Sequence, residues 1–234
     1  MIQHAIFLVN LLQDVNIIRP LVFMTSLDLG LETLFLVSNK FLKRDISGLW
    51  QKELDEISKA TGAIIHYFDS EKEALLFLQG KSGSLVAASE SDLSAHSPTH
   101  NVFRLAPPSL VRITLQHGFE CVGFLHSKDH NAAHGETVTF AADVVCGWCD
   151  ASRLTSMVPS QRGKLYVSGP PAVLQLPQAH RSAEQSNQGL ICENLHSVRL
   201  NIAGDFKIDF INIFHDFCAA LAAHNKKITL RPHP

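Results

Sequence analysis

The sequence is short of several features that would settle its class at once. Charged residues make up only 18% of the 234 residues, 20 Lys and Arg against 22 Asp and Glu, and they form no blocks; the densest basic patch is Lys226 and Lys227. Without a basic stripe the chain has little with which to displace counterions from a polyanionic backbone, which argues against a dedicated nucleic-acid binder. No apolar run reaches the ~20 residues of a bilayer-spanning helix, because Asp14, Arg19, Asp28 and Glu32 interrupt the apolar N-terminal region. The first ten residues lack a basic leader and a small-residue cleavage site, so the chain is expected in the cytoplasm, with the inner face of the membrane as its other location. Five cysteines, an odd number spread over a long chain, do not make a disulfide framework and read as reduced thiols.

What is present is a core. With 46% hydrophobic residues the chain can bury one large or two small cores, which excludes disorder. Short apolar runs recur at residues 5–9, 33–37, 63–67, 85–87, 111–115, 143–146 and 164–167, with helix-like segments between them. That is the rhythm of βαβ units, and near-continuous rather than alternating apolar strands belong to a parallel sheet covered on both faces. Residues 47–60 read as a helix capped by Ser47, carrying Trp50, Leu54 and Ile57 and stopped by Gly62. Residues 70–78 repeat the device, with Ser70 and Glu73 spaced as a capping box and Gly80 as the stop.

After Val167 the composition changes. Residues 1–172 form a first Rossmann-like domain, 173–188 a polar linker, and 189–234 the start of a second domain: a strand ending at Cys192, a helix over 206–224 with Phe210, Ile213, Phe214, Phe217 and Leu221 on one side, and a strand over 227–230. Strand, helix and strand alone cannot bury both faces of a sheet. The chain is therefore expected to be a fragment, inactive by itself, whose second domain continues beyond residue 234.

In an open α/β sheet, ligands bind beyond the carboxyl ends of the strands. Polar groups collect there at Gln116, His117, Gly118 and Glu120, at Gly147 to Asp150, at Glu193, Asn194, His196 and Ser197, and at Arg231 and His233. Gln116, His117 and Gly118 supply an amide, an imidazole and a flexible backbone, and Glu120 a carboxyl able to act as acid or base. Arg231 and His233 put a cation and an imidazole at a strand tip, which suits a phosphate.

Two other constellations are weaker. His126, His130 and His134 recur every four residues, but Ser127, Asn131 and Gly135 make that stretch a loop and no Glu-x-x-His partner accompanies them, so no metal site is read. Cys146 and Cys149 have the spacing of a redox dithiol, yet they follow six strands, where a thioredoxin-like fold has its pair after an early one. Cys146 is read as strand packing and Cys149 as a helix-start residue.

Taken together, the two Rossmann-like units, the linker, and Gln116 to Glu120, Gly147 with Trp148, Ser168 to Pro171, Glu193 to Ser197 and Arg231 to Pro234 resemble bacterial GT-B glycosyltransferases. The nearest likeness is to the retaining β-Kdo transferases of lipopolysaccharide O-antigen and capsule assembly. The His-Pro pair is similar to that of bacterial sialyltransferases and polysialyltransferases, and Arg-x-His-Pro to that of CDP-glycerol glycerophosphotransferases.

The resemblance implies a CMP-Kdo donor in a cleft between two domains, a saccharide acceptor, and neither metal nor other cofactor. His233 and Arg231 would meet the CMP phosphate, with Glu193, Asn194, His196 and Ser197 near the donor and Gln116, His117 and Gly118 lining the cleft. Glu120 would be the acid/base and Asp205 the nucleophile, with Glu193 and Asp150 behind it. Two other readings stand beside this one: a non-catalytic Rossmann-like binding domain, and a dithiol oxidoreductase using Cys146 and Cys149.

Overall fold

The computed structural model describes residues 3–118, 121–125, 132, 137–175, 188–192 and 207–231. The chain divides into two compact units, Met1–Leu176 and Pro177–Pro234.

The first unit is built on a seven-stranded, all-parallel sheet. Its strands are β1 (His4–Val9), β2 (Glu32–Ser38), β3 (Ile64–Phe68), β4 (Gly83–Ala87), β5 (Leu110–Leu115), β6 (Val144–Gly147) and β7 (Leu165–Val167), in the spatial order β3-β2-β1-β4-β5-β6-β7. This is a Rossmann-like sheet, and every strand that the apolar runs predict is in it. The helices are α1 (Asp14–Phe23), α2 (Asn39–Arg44), α3 (Leu49–Thr61), α4 (Glu71–Leu78), α5 (Ser97–Leu105) and the short α6 (Pro159–Arg162). A π-helical turn, Met24–Asp28, prolongs α1.

Alternate residues of the central strands enter different cores. Ile6, Leu8, Leu34, Leu36, Leu85 and Val145 pack with Leu78, Val102 and Phe103 of α4 and α5. Ala5, Phe7, Val9, Phe35, Val37 and Val86 pack with Val15, Ile18 and Val22 of α1 and Leu54 and Ile57 of α3. A strand covered on both sides has no polar face to show, which is why β1 reads as an unbroken apolar run.

Local chemistry sets the helix ends. The amide of Glu73 donates to Ser70 Oγ at 3.3 Å, while the Glu73 carboxylate accepts from the Asp69 amide at 2.8 Å, so the return half of the capping box falls one residue earlier than the simple pattern. For α3 the cap differs from expectation. Gly48, with φ +68°, precedes the helix, and Asp45 accepts from the Gln51 amide at 2.7 Å while Ser47 accepts from the Leu49 amide at 3.3 Å. Asp45 reaches deeper into the first turn than Ser47 can and carries the charge that the exposed N–H groups favour.

The second unit contains β8 (Gln188–Cys192), α7 (Lys207–Ala222) and β9 (Lys227–Arg231), with β8 and β9 parallel and Cys192 in register with Arg231. The helix stripe is rotated from the expected one. Phe210, Phe214, Cys218 and Leu221 are half-buried, with the Phe210 and Phe214 rings stacked at 5.8 Å, whereas Ile213 and Phe217 are exposed. Steps of four, four and three follow the helical repeat closely, and a stripe centred on Phe214 leaves Ile213 and Phe217 on its flanks. Among the described residues no helix is long and apolar enough to cross a membrane.

Gly83 opens β4 with φ +127°, and a Cβ there would lie 2.1 Å from the His4 carbonyl oxygen. β1 and β4, at the centre of the sheet, can approach only because no side chain intervenes. Gly83→Ala is expected to cost about 3 kcal/mol or more in urea unfolding, against about 1 kcal/mol for Gly80→Ala, where φ is also positive but the space is open.

Candidate functional site

Beyond β1 the chain turns onto the face that carries α1, and beyond β4 onto the face that carries α5, so the two strand exits diverge and leave a crevice between them. Asp14 sits in that crevice, 1% exposed. Its Oδ2 accepts from the amides of Asn10 and Leu11 at 2.9 and 2.7 Å, and its Oδ1 accepts from the Ser89 hydroxyl, just past β4, at 2.7 Å. Arg44 Nη1 donates to the Asn10 carbonyl at 2.7 Å and adds positive potential. Burial outweighs these contacts and pushes the Asp14 carboxyl up to about 6.

The backbone amides at this first turn are those that cradle a phosphate in nucleotide-binding sheets, there with a glycine-rich turn. Here the turn is Asn10, Leu11, Leu12, Gln13 and Asp14, with no glycine, and a carboxylate of the chain itself takes two of the amides. The turn after β1 is closed to a nucleotide phosphate.

The exit of β4 carries a second buried carboxylate. Glu90 accepts from His100 Nδ1 at 2.6 Å and from the amides of Ala141 and Ala142 at 3.0 and 3.2 Å, which fastens the segment before β6 to the β4 exit. Next to it the Ser91 hydroxyl and His96 Nδ1 are 2.6 Å apart, and the His96 ring meets that of His117 edge-on at 6.0 Å.

His117 belongs to the exit of β5. Its neighbour Gln116 is 1% exposed and fully engaged: Oε1 accepts from the Trp148 amide at 2.8 Å and Nε2 donates to the Gly118 carbonyl at 3.1 Å. Gln116 thereby ties the exits of β5 and β6 together and commits its amide to the fold. Gly118 is half-buried, with open space where a side chain would stand. The His117 ring is held by a 3.0 Å contact between Nδ1 and the Ala88 carbonyl. Because a carbonyl only accepts, Nδ1 carries the proton and Nε2 the lone pair. Burial lowers the His117 pKa and the Ala88 contact opposes that, so the neutral, basic ring is favoured near neutral pH. The Cys121 thiol lies 3.4 Å from Nδ1 and 3.7 Å from Nε2; burial pushes it up to about 12, so it is a protonated neighbour and not a nucleophile.

The structure thus brings together Gln116, His117 and Gly118, alongside Asp14, Ser91 and His96, which the motif reading passes over. Their signal in the sequence is a polar run, Ser89, Glu90, Ser91 and Asp92, immediately after an apolar strand. Arg231 is the last residue of β9. Glu120, Glu193, Asn194, His196, Ser197, Asp205 and His233 lie outside the described residues, as do His126, His130 and His134. Asp150 is exposed beyond β6.

Cys146 and Cys149 are both free thiols. Cys146 packs on the α1 side of the sheet and Cys149 against the opposite core, and burial raises the Cys146 pKa where a redox thiol needs it lowered. Cys149 stands in a bend and not at a helix start as expected, because the chain beyond β6 makes turns before α6. Compared with known protein families and with curated proteins, the chain matches none.

The Asp14 carboxyl gives a pH signature. Its pKa in the fold is raised above the ordinary 3.8, so the native state holds the proton more tightly than the unfolded chain. Its contribution to stability is present below about pH 4 and is lost as pH rises through about 6. Asp14→Asn copies the protonated acid, with one oxygen for the two amides and an NH2 for Ser89. Denaturant unfolding is expected to show wild-type stability falling between pH 4 and 6 relative to Asp14→Asn, which is at least as stable as wild type at pH 7.

Proposed function

We propose that this chain carries the acceptor side of a GT-B glycosyltransferase that moves Kdo, or a related 2-keto sugar acid, from a CMP-activated donor to a saccharide hydroxyl. The observation that carries this reading is His117: an imidazole at the carboxyl edge of a parallel sheet, its tautomer fixed by the Ala88 carbonyl and its pKa lowered by burial. Such a ring can take a proton from a hydroxyl. The first turn supports the assignment of sides, because a unit whose β1 amides are filled by Asp14 suits an uncharged acceptor better than a nucleotide.

With retention, the reaction has two displacements. A carboxylate, for which Asp205 is the proposed residue, attacks the anomeric carbon as the bond to CMP breaks, and His233 and Arg231 receive the departing phosphate. The acceptor oxygen then attacks the glycosyl–enzyme ester, its proton passes to His117 Nε2 or to Glu120, and the carboxylate is released. CMP is already a stable leaving group, so imidazole and backbone amides suffice to hold its charge. The His-Pro likeness extends to sialyl and glycerophosphate transfer, which use cytidine-activated donors as well.

A second reading, a non-catalytic binding domain, is favoured by one observation: Gln116, Asp14 and Glu90 all direct their polar groups into the fold. The assay that separates the two measures CMP release from CMP-Kdo, CMP-sialic acid and CDP-glycerol by the protein, with EDTA present. Release from CMP-Kdo at full rate in chelator is expected, and His117→Gln should lower it about 100-fold with little change in stability. If His117→Gln transfers at the wild-type rate, the imidazole is not the base; if nothing is released from any donor, the binding-domain reading stands.

A further inference from the structure

Apart from the crevice between β1 and β4, the sheet face on the α1 side is incompletely filled. Between Phe7, Val86, Ile113 and Leu115 on the sheet and the chain beyond β7 lies a cavity of about 370 Å3. Its roof is a strap through Ser168, Gly169, Pro170 and Pro171 to Leu174. The strap is pinned: the amides of Ser168 and Gly169 both donate to the Gly147 carbonyl, at 2.9 and 3.2 Å, Gly169 turns with φ +71°, and Pro170 and Pro171 stiffen the backbone next to it. It therefore cannot simply settle onto the sheet.

The side wall is the end of α1, where Met24 and Thr25 belong to the π-helical turn. Wide turns of this kind are uncommon and concentrate at functional sites. The Thr25 hydroxyl donates to the Val22 carbonyl at 3.2 Å and the Ser168 hydroxyl to the Gly169 carbonyl at 3.0 Å. None of the buried polar atoms without a partner among the described residues lines this cavity. Water would gain few bonds here, and an apolar occupant loses none.

Met24 and Leu174 also line a more open hollow with Arg19, Phe23 and Asp28, so the hollow adjoins the cavity. In that adjoining hollow Arg19 is already paired with Glu53, and Asp28 adds an exposed carboxylate, so an anionic group is disfavoured there.

We propose that this cavity is a binding site for the end of one aliphatic chain bearing a non-anionic head. At about 30 Å3 for each water-sized group, it holds roughly a dozen such groups, a chain on the order of ten carbons. The site lies on the α1 face of the sheet, under the segment that leaves β7, and shares no lining residue with the crevice that holds Asp14 and His117.

The test is thermal unfolding of the full chain, followed by intrinsic tryptophan fluorescence, with n-alkanols from butanol to tetradecanol and with decanoate. Affinity is expected to rise about fourfold per methylene and to level off near ten to twelve carbons. Decanol at a hundredfold excess over its dissociation constant should raise the midpoint by roughly 5 to 10 °C. Decanoate should bind at least tenfold more weakly. Ser84→Leu and Cys146→Leu, which each fill part of the cavity, should keep their own midpoints and lose the response; if one fails to fold, the other decides. Perturbation of the Met24 and Ile113 methyl NMR signals by decanol gives an independent reading of where it binds. No saturable shift, equal binding of decanoate, or an unchanged response in the filled variants would each overturn the proposal.

Discussion

The carboxylate of Asp14 is the constraint on which the layout of the first unit depends. It joins two amides after β1 to a hydroxyl after β4, and those are the two strands at which the chain changes faces. Any doubly wound sheet opens a crevice there, and that crevice must be filled by ligand, solvent or side chain. In this protein it is filled from within, at the cost of burying a carboxyl whose charged form the surroundings disfavour. The compensation is register: with Asp14 in place, the start of α1 and the turn at Ser89 cannot shift independently, and Arg44, on the Asn10 carbonyl, draws α2 into the same arrangement.

That arrangement explains what was legible in the sequence and what was not. Strands buried on both faces must be apolar throughout, so β1, β2 and β4 announce themselves, while the partly exposed edge strands β3 and β7 are legible by their β-branched and aromatic residues; the αL glycines at 62 and 80 mark helix ends as expected. The Gln116, His117 and Gly118 motif was visible because three consecutive polar or small residues ended an apolar run. Its internal division was not: Gln116 and His117 look equally functional in a string, and only the position of Trp148, distant in sequence, shows that the amide is consumed while the imidazole keeps a lone pair. Asp14 gives no such signal: in the sequence it only interrupts an apolar region, and nothing local reveals that Ser89 lies beside it.

The helix of the second unit shows the limit of counting apolar positions. Isoleucine and phenylalanine occur nearly all round α7, so hydrophobicity alone does not choose a stripe. The stacked rings of Phe210 and Phe214 choose it, and Ile208, Ile211, Ile213 and Phe217 are left exposed.

On the proposed function, charge at the strand exits bears on which half of the transfer the first unit would serve. A phosphate needs unfilled amides or cations, and at the exit of β1 the amides are filled and the nearest cation, Arg44, is turned to a carbonyl. A hydroxyl needs little charge and one good acceptor, and His117 offers that, with a neutral ring favoured and its other nitrogen committed to Ala88. On the proposed function, recognition of the donor's phosphate therefore falls to residues outside this crevice, and the βαβ unit ending at Arg231 has the residue types for it. The division rests on the electrostatics of one buried side chain: had Asp14 been glycine or serine, the same sheet would have presented open amides at its switch point, the feature that nucleotide-binding sheets use for a phosphate.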